Sequence, residues 1–407
     1  MLISTPLHAK NVIFWLSVDG FKPSYLDHSN TPHLRKMISH SVYTRKLAPI
    51  FPSITFPSHS SQATGVKVKE HGIPFNTFYD SATGKTESYP NESSLLQAEP
   101  IWQTTKRGGL RSAVLNWPLS FKQEGEFKSD IFNPTYENEL SDEERIDRSM
   151  EIWQKELDAG RELDLIMAYI VGPDSVGHQF GPQDEKVFKV VENVDLLIGK
   201  LQAKIRQIAD SRKKRDDKYF LLITTDHGMT AVKTAVNLTL LSNLSSEPRV
   251  KLITGGNVGH VFLDKIPEGE RSSLIKRLMT EYKKYPYVTA YEKNKMPAEW
   301  NYGHSTRVGD LVVILDGGYA FVNNVPKVSV PIGEIGGPLG MHGYHPRMVS
   351  DMYGLMVMWQ YPEIPQAKEL KSPIDSLQLH PTVAFLLGIS PSAKAIEKPI
   401  KEVTNLN

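Results

Sequence analysis

Two pairs of side chains in this chain are spaced as metal ligands would be. Asp226 and His227 stand side by side, directly after the apolar run Tyr219–Thr225 and before Gly228. At the end of a buried strand the chain turns, so neighbouring side chains need not alternate faces and both can reach one ion. Asp174 and His178 lie four apart in a stretch bounded by Gly172-Pro173 and Gly181-Pro182. One helical turn there puts both on the same face. Each pair also has an ordinary explanation. Asp before His-Gly is a frequent hydrogen-bonding turn former, and Pro-Asp-Ser reads as a plain turn followed by a stray His.

Three more groups are candidates with less to separate them from their neighbours. Asp19 follows the apolar run Asn11–Val18, where an aspartate is by default a turn former. Thr55 offers a hydroxyl, a poor nucleophile until coordination to zinc ionises it. Ser53, Ser58, Ser60 and Ser61 are rivals for that role, and His59 reads as a structural imidazole of the same loop. His342 lies in the glycine-rich stretch Gly336–Tyr344 with His345 three residues on, and side-chain chemistry alone does not choose between them. There is no cysteine, which removes disulfides, thiolate zinc sites and cysteine nucleophiles together. Any metal must then be held by His and carboxylates.

The elements that would position these groups are legible in outline. Asn11–Val18, Leu110–Leu115, Leu163–Val171 and Tyr219–Thr225 are short, nearly continuous apolar runs that end in turn residues, the pattern of buried parallel strands. Helical stretches lie between them. Thr31–Ser39 opens on Thr-Pro, and Asp184–Ser211 carries an apolar stripe from Val187 through Val190, Val191, Val194, Leu197, Ile198, Leu201, Ile205 and Ile208. Alternation of this kind implies an α/β fold, a mostly parallel central sheet with helices on both faces, whose functional groups gather beyond the C-terminal strand ends. After Thr230 the pattern changes: strands at Asn257–Leu263, Tyr287–Tyr291 and Asp310–Leu315 with a helix at Ser272–Lys284 predict a small α+β insertion over about residues 245–335. Asp351–Gln360 then resumes a strand. The expectation is one catalytic domain over residues 1–407, carrying that insertion.

Composition sets few limits. The chain has 407 residues, 40% hydrophobic and 23% charged, with net charge +1, so nothing points to nucleic acid or a membrane surface as partner. Arg212–Lys218 is the one dense charge run and reads as a solvated loop. No apolar stretch approaches the roughly 20 residues of a membrane-spanning helix. Met1–Lys10 shows no basic region followed by an apolar core, so no signal peptide is visible.

Read in order, these stretches match a family. Val18-Asp19-Gly20, Thr55-Phe56-Pro57-Ser58-His59 with Thr64-Gly65, His71-Gly72-Ile73 with Asn76 and Tyr79-Asp80 open the series. Asn116-Trp117-Pro118, Pro173-Asp174 with Gly177-His178 and Gly181-Pro182, Thr225-Asp226-His227-Gly228-Met229 and His342-Gly343-Tyr344 complete it. Together they resemble the nucleotide pyrophosphatase/phosphodiesterase family (type I phosphodiesterases) of the alkaline phosphatase superfamily. The resemblance implies an alkaline-phosphatase-like fold and two Zn2+ ions. One would be held by Asp174, His178 and His342, the other by Asp19, Asp226 and His227 with Thr55 bound to it as nucleophile. It implies Asn76 as donor to a phosphoryl oxygen, and Phe56 and Tyr169 as lining for the leaving or base part of the substrate. The implied activity is hydrolysis of phosphodiester or pyrophosphate bonds through a phospho-threonine intermediate, on a small-molecule diester such as a nucleotide. Hydrolysis of choline phosphodiesters, phosphonates or phosphomonoesters remains open, as does a member that binds phosphate esters without cleaving them. Family habit implies a periplasmic or secreted protein, while the missing leader leaves the cytoplasm open. Two positions depart from the family: Val171-Gly172 where many members carry an acidic residue, and His345-Pro346 where many carry Asp-Asn.

Overall fold

Both faces of the first strand are apolar, and each face enters a different core. In the computed structural model, which describes residues 10–212 and 216–406, Val12, Phe14, Leu16 and Val18 pack into one layer while Ile13 and Trp15 pack into the other. A strand buried on two sides belongs inside a sheet covered by helices on both faces, and that is where it lies.

The central sheet contains β1 (Asn11–Val18), β2 (Ser41–Ala48), β3 (Ser112–Leu115), β4 (Ile131–Phe132), β5 (Leu165–Ile170), β6 (Lys218–Thr224), β7 (Gly354–Tyr361) and β8 (Lys368–Glu369). Their order across the sheet is β8-β2-β7-β6-β1-β5-β3-β4, and Ile374–Asp375 also pairs with β2. All pairings are parallel except the two made by β7. The expected mostly parallel α/β sheet is therefore present.

Five helices matter to the site or its support: α1 (Thr55–Thr64), α2 (Asp142–Asp158), α3 (Asp174–Phe180), α4 (Glu185–Ser211) and α5 (Leu379–Leu386). Apart from half-buried Val190, the stripe read from sequence is the face that α4 buries, from Val187 to Ile208, and it joins Ile146 and Trp153 of α2 in one core. The opposite core takes Ala63 from α1 and Leu379, Val383 and Leu386 from α5. Several elements went unread, β2 and α2 among them. β2 mixes polar and apolar residues and carries Arg45 and Lys46, so its sequence gives no clean alternation. α2 opens on a capping box, with the Ser141 hydroxyl accepting from the Glu144 amide and the Glu144 carboxylate accepting from the Ser141 amide.

Between β6 and β7 the chain builds a separate four-stranded antiparallel sheet, in the order Lys251–Gly255, Val258–Phe262, Leu311–Leu315, Val288–Glu292. Its helix runs Glu268–Tyr282, starting four residues before the expected Ser272 because Pro267 precedes it and Glu268 and Glu270 suit a first turn. Ile253, Val258, Ile314 and Tyr302 of this unit share a core with Ile50, Phe51 and Ile54, the residues leading into α1. Of the charge run, Arg212 pairs with Glu162 and Lys218 opens β6. Residues 213–215 of that run, and the leader reading on residues 1–9, fall outside the described residues.

Candidate active site

Strands β6, β1 and β5 are neighbours, so their C-terminal ends lie side by side. Asp19 follows β1, Asp226 and His227 follow β6, and Asp174 is the first residue of α3, four residues after β5. Parallel order alone thus gathers three carboxylates separated by more than two hundred positions. The turn after β1 must be glycine: Gly20 has φ +64, and a Cβ there would stand 2.8 Å from the Asp174 Cβ. Thr55 begins α1, the end of a helix where backbone donors favour an anion. His342 arrives on the loop after the short strand Gly340–Met341.

These seven residues meet. The ligand atoms of Asp174, His178 and His342 lie within 4.8 Å of one another, and so do those of Asp19, Asp174 and His227. Asp226 Oδ2 is 3.1 Å from His227 Nε2, while Asp226 Oδ1 accepts from the Gly20 and His227 amides. Thr55 Oγ1 is 3.4 Å from His227 Nε2, and Asp19 Oδ1 is also 3.4 Å from it. Asp174 stands between the two groups rather than in one alone. The hydroxyls that rivalled Thr55 are placed otherwise. Ser53 donates to the Tyr344 carbonyl, Ser61 bonds His71, and Ser58 and Ser60 are buried away from the cavity. His59 sits between Ser17 and the Thr55 carbonyl, as a structural imidazole should.

Each of the three clustered histidines donates Nδ1–H to a backbone carbonyl: His178 to Gly340 (2.8 Å), His227 to Gly228 (3.0 Å) and His342 to Ser53 (3.0 Å). That bond assigns the tautomer and leaves a lone pair on every Nε2. The Nε2 atoms of His178 and His342 then face each other at 3.1 Å, an arrangement that calls for a cation or a proton between them. Asp19 Oδ1, Asp174 Oδ1 and Asp226 Oδ2 are buried with no hydrogen-bond partner. Burial, then the charge of Asp174, holds Asp19 well above the usual carboxylate range. Burial and Asp226 push Asp174 up to about 8, and burial and Asp19 raise Asp226. Burial pulls His178, His227 and His342 down, which favours the neutral imidazole at each. Three crowded carboxylates and three free imidazole nitrogens form a donor set of the kind that holds divalent metal.

A cavity of about 770 Å3 opens onto these groups. Asn76 lines it and accepts the Phe56 amide through Oδ1 (2.9 Å), which commits the oxygen and leaves the Nδ2 donor for the cavity. Phe56 lines it half-buried, with Tyr89 edge-on at 5.7 Å. Tyr169 also lines it, but its hydroxyl is spent on Asp19 Oδ2 at 2.5 Å. That bond predicts that Tyr169→Phe weakens metal binding by about 10- to 100-fold with little change in fold, read by titration against a chelator. Unchanged metal affinity would reduce Tyr169 to cavity lining. Sequence reading missed Tyr89, Phe121, Tyr136 and Arg145, which line the same cavity. Arg145 is buried, donates to the Glu137 and Leu140 carbonyls, and stacks on the Tyr136 ring at 4.7 Å. The available signal was the capping box of α2, which places Arg145 on the first turn of a helix.

The family profile described as "Type I phosphodiesterase / nucleotide pyrophosphatase" matches residues 13–345. The chain belongs to this family. It is 31% identical over 349 residues to an uncharacterised pyrophosphatase/phosphodiesterase of Schizosaccharomyces pombe, covering 82% of this chain and 68% of that one. It is 28% identical over 381 residues to human bis(5'-adenosyl)-triphosphatase ENPP4, covering 92% and 78%. Murine ectonucleotide pyrophosphatase/phosphodiesterase 5 superposes with a TM-score of 0.79 at 25% identity, over 97% of this chain and 99% of that one. The family resemblance and the alkaline-phosphatase-like fold read from sequence are thus both met. These relatives are nucleotide pyrophosphatases/phosphodiesterases, which are hydrolases. No helix among the described residues is long and apolar enough to cross a membrane.

Both departures from the family pattern have a local physical account. The Val171 and Gly172 amides each donate to the Asp142 carboxylate at 2.8 Å, so α2 supplies an acidic group to the turn before Asp174. The His345 ring lies against the rings of Phe51 and Trp300.

Proposed function

We propose that this chain is a di-zinc phosphodiesterase/nucleotide pyrophosphatase that cleaves its substrate through a phospho-threonine at Thr55. The observation that carries the reading is the convergence of three Nδ1-anchored histidines with three orphaned carboxylate oxygens beside a single hydroxyl. Asp174, His178 and His342 would hold one ion; Asp19, Asp226 and His227, with Thr55, would hold the other. When bound, such ions lower the pKa of the hydroxyl and offset charge on the attacking and leaving oxygens.

The chain's own groups account for the rest. Thr55 Oγ, having given up its proton to solvent, attacks phosphorus; the P–O bond to the leaving group breaks, and the leaving oxygen departs on the opposite side with the bonding pair and takes a proton from solvent. Water then cleaves the Oγ–P bond and frees the hydroxyl. Asn76 Nδ2, on a side chain oriented by the Phe56 amide, would donate to a non-bridging oxygen, a fixed dipole that need not reorganise during the step. Phe56, Tyr89, Phe121 and Tyr136 offer ring surface to a planar base. A nucleotide substrate agrees with the bis(5'-adenosyl)-triphosphatase activity in the name of the human relative. An extracytoplasmic location, which the prefix "ecto" gives the murine relative, belongs to the same proposal, as does treating residues of about 245–335 as an insertion into one catalytic domain.

The test is a substrate panel on zinc-loaded enzyme. Nucleoside nitrophenyl diesters should exceed both nitrophenyl phosphate and nitrophenyl phosphorylcholine in kcat/KM by at least about tenfold, a difference of roughly 1.4 kcal/mol in transition-state stabilisation. A monoester preference would make the enzyme a phosphatase. A choline-ester preference would move it to phospholipid chemistry.

A further inference from the structure

The loop carrying His342 and the turn leading to Thr55 are laced together at one residue. The Ser53 carbonyl takes the Nδ1 proton of His342 (3.0 Å), its hydroxyl donates to the Tyr344 carbonyl (2.7 Å), and the Gly343 amide donates to that hydroxyl (3.2 Å). His342 belongs to one ligand group and Thr55 abuts the other, so this lacing spans both.

The lacing has an aromatic brace. The His345 ring lies 5.8 Å from Phe51 and 4.9 Å from Trp300, and Phe51 and Trp300 are 4.7 Å apart. The three rings come from three segments: one just before Thr55, one just after His342, and one from the inserted unit. His345 is kept in place from its own side, because its Nδ1 accepts the Arg347 amide at 3.1 Å. The insertion touches the same loop a second time. Gly256, at φ +60, lies so close that a Cβ there would fall 2.1 Å from the His342 carbonyl oxygen.

We propose that His345 is a positioning residue, whose ring, packed against the Phe51–Trp300 pair, fixes His342 relative to Thr55 and so sets the spacing of the two ligand groups. The inference rests on the reading of the cluster as a two-metal site. Two-metal hydrolysis requires the ions to stand about 3.5–4 Å apart, and misplacement by about 1 Å costs on the order of 10²-fold in rate. The brace therefore acts on geometry, with no contact to substrate. His345 occupies one of the two positions where this chain departs from the family pattern.

The experiment compares full-length zinc-loaded wild type with His345→Ala and His345→Phe. Three quantities are read: the rate at which each ion is lost to a chelator, kcat and KM for bis-nitrophenyl phosphate, and Tm. In His345→Ala one of the two ions should leave about tenfold faster or more, and kcat should fall at least about tenfold with KM within about twofold. His345→Phe should restore both, because it keeps a ring against Phe51 and Trp300. Wild-type zinc release in His345→Ala overturns the inference alone. Equal defects in the two variants, or a lower Tm with unchanged zinc release, also overturn it, since they reduce His345 to ordinary packing. A wild-type chain that holds no zinc overturns the two-metal reading and this inference with it.

Discussion

Replacing Thr55 by alanine will lower diester hydrolysis by at least about 10⁴-fold while leaving metal content and fold unchanged. The size follows from the role. Without Oγ no phospho-enzyme forms, and what remains is water attacking a substrate that the site still binds and polarises. Metal should stay because Asp19, Asp226 and His227 are untouched, and because Thr55 is a small side chain whose loss at the start of α1 opens little space. Elemental analysis and single-turnover kinetics check both halves. Ser58→Ala offers a control, since that hydroxyl is buried away from the cavity. Near-normal turnover in Thr55→Ala would sink the nucleophile assignment.

The second large effect concerns charge. Stripping metal with a chelator will abolish hydrolysis, by about 10³-fold or more, because several kcal/mol of charge stabilisation go with it. Tm will fall as well. A ligand held at about 100 times its Kd contributes about 2.7 kcal/mol per site to the folded state. Asp226→Asn separates the two consequences. In the loaded state it will lose metal and activity. In the stripped state it will unfold at a temperature equal to or above that of stripped wild type, since one of three crowded, buried carboxylates has gone. Calorimetry on both proteins in chelator gives the comparison. A stripped Asp226→Asn clearly less stable than stripped wild type would mean that the cluster is held by hydrogen bonds and packing rather than built for cations.

How far the sequence revealed this site depends on the range of the interaction concerned. Asp174 with His178, and Asp226 with His227, are close in sequence and stand at strand ends, so local spacing exposes them. Asp19, Thr55 and His342 were indistinguishable from their neighbours by chemistry alone. What separates Thr55 from Ser53, or His342 from His345, is the packing of distant segments at the ends of β1, β5 and β6, and only the family resemblance stood in for that. The division of Asp174 between two groups was not legible at all, because it depends on a turn geometry that Gly20 permits. The sheet was visible where strands are buried on both faces, as in β1. It was invisible in β2, whose Arg45 and Lys46 break the pattern. Tyr136 was missed because its loop has no strand or helix periodicity, and Arg145 because α2, the helix that carries it, went unread.

The most direct test of the two-metal claim is to count zinc in fully active enzyme. Protein loaded with zinc, freed of loosely bound ions by gel filtration and assayed on a nitrophenyl diester should contain two zinc ions per chain, and activity should rise in proportion as apo-protein is refilled to that number. Full activity with one ion, or with none, would contradict it.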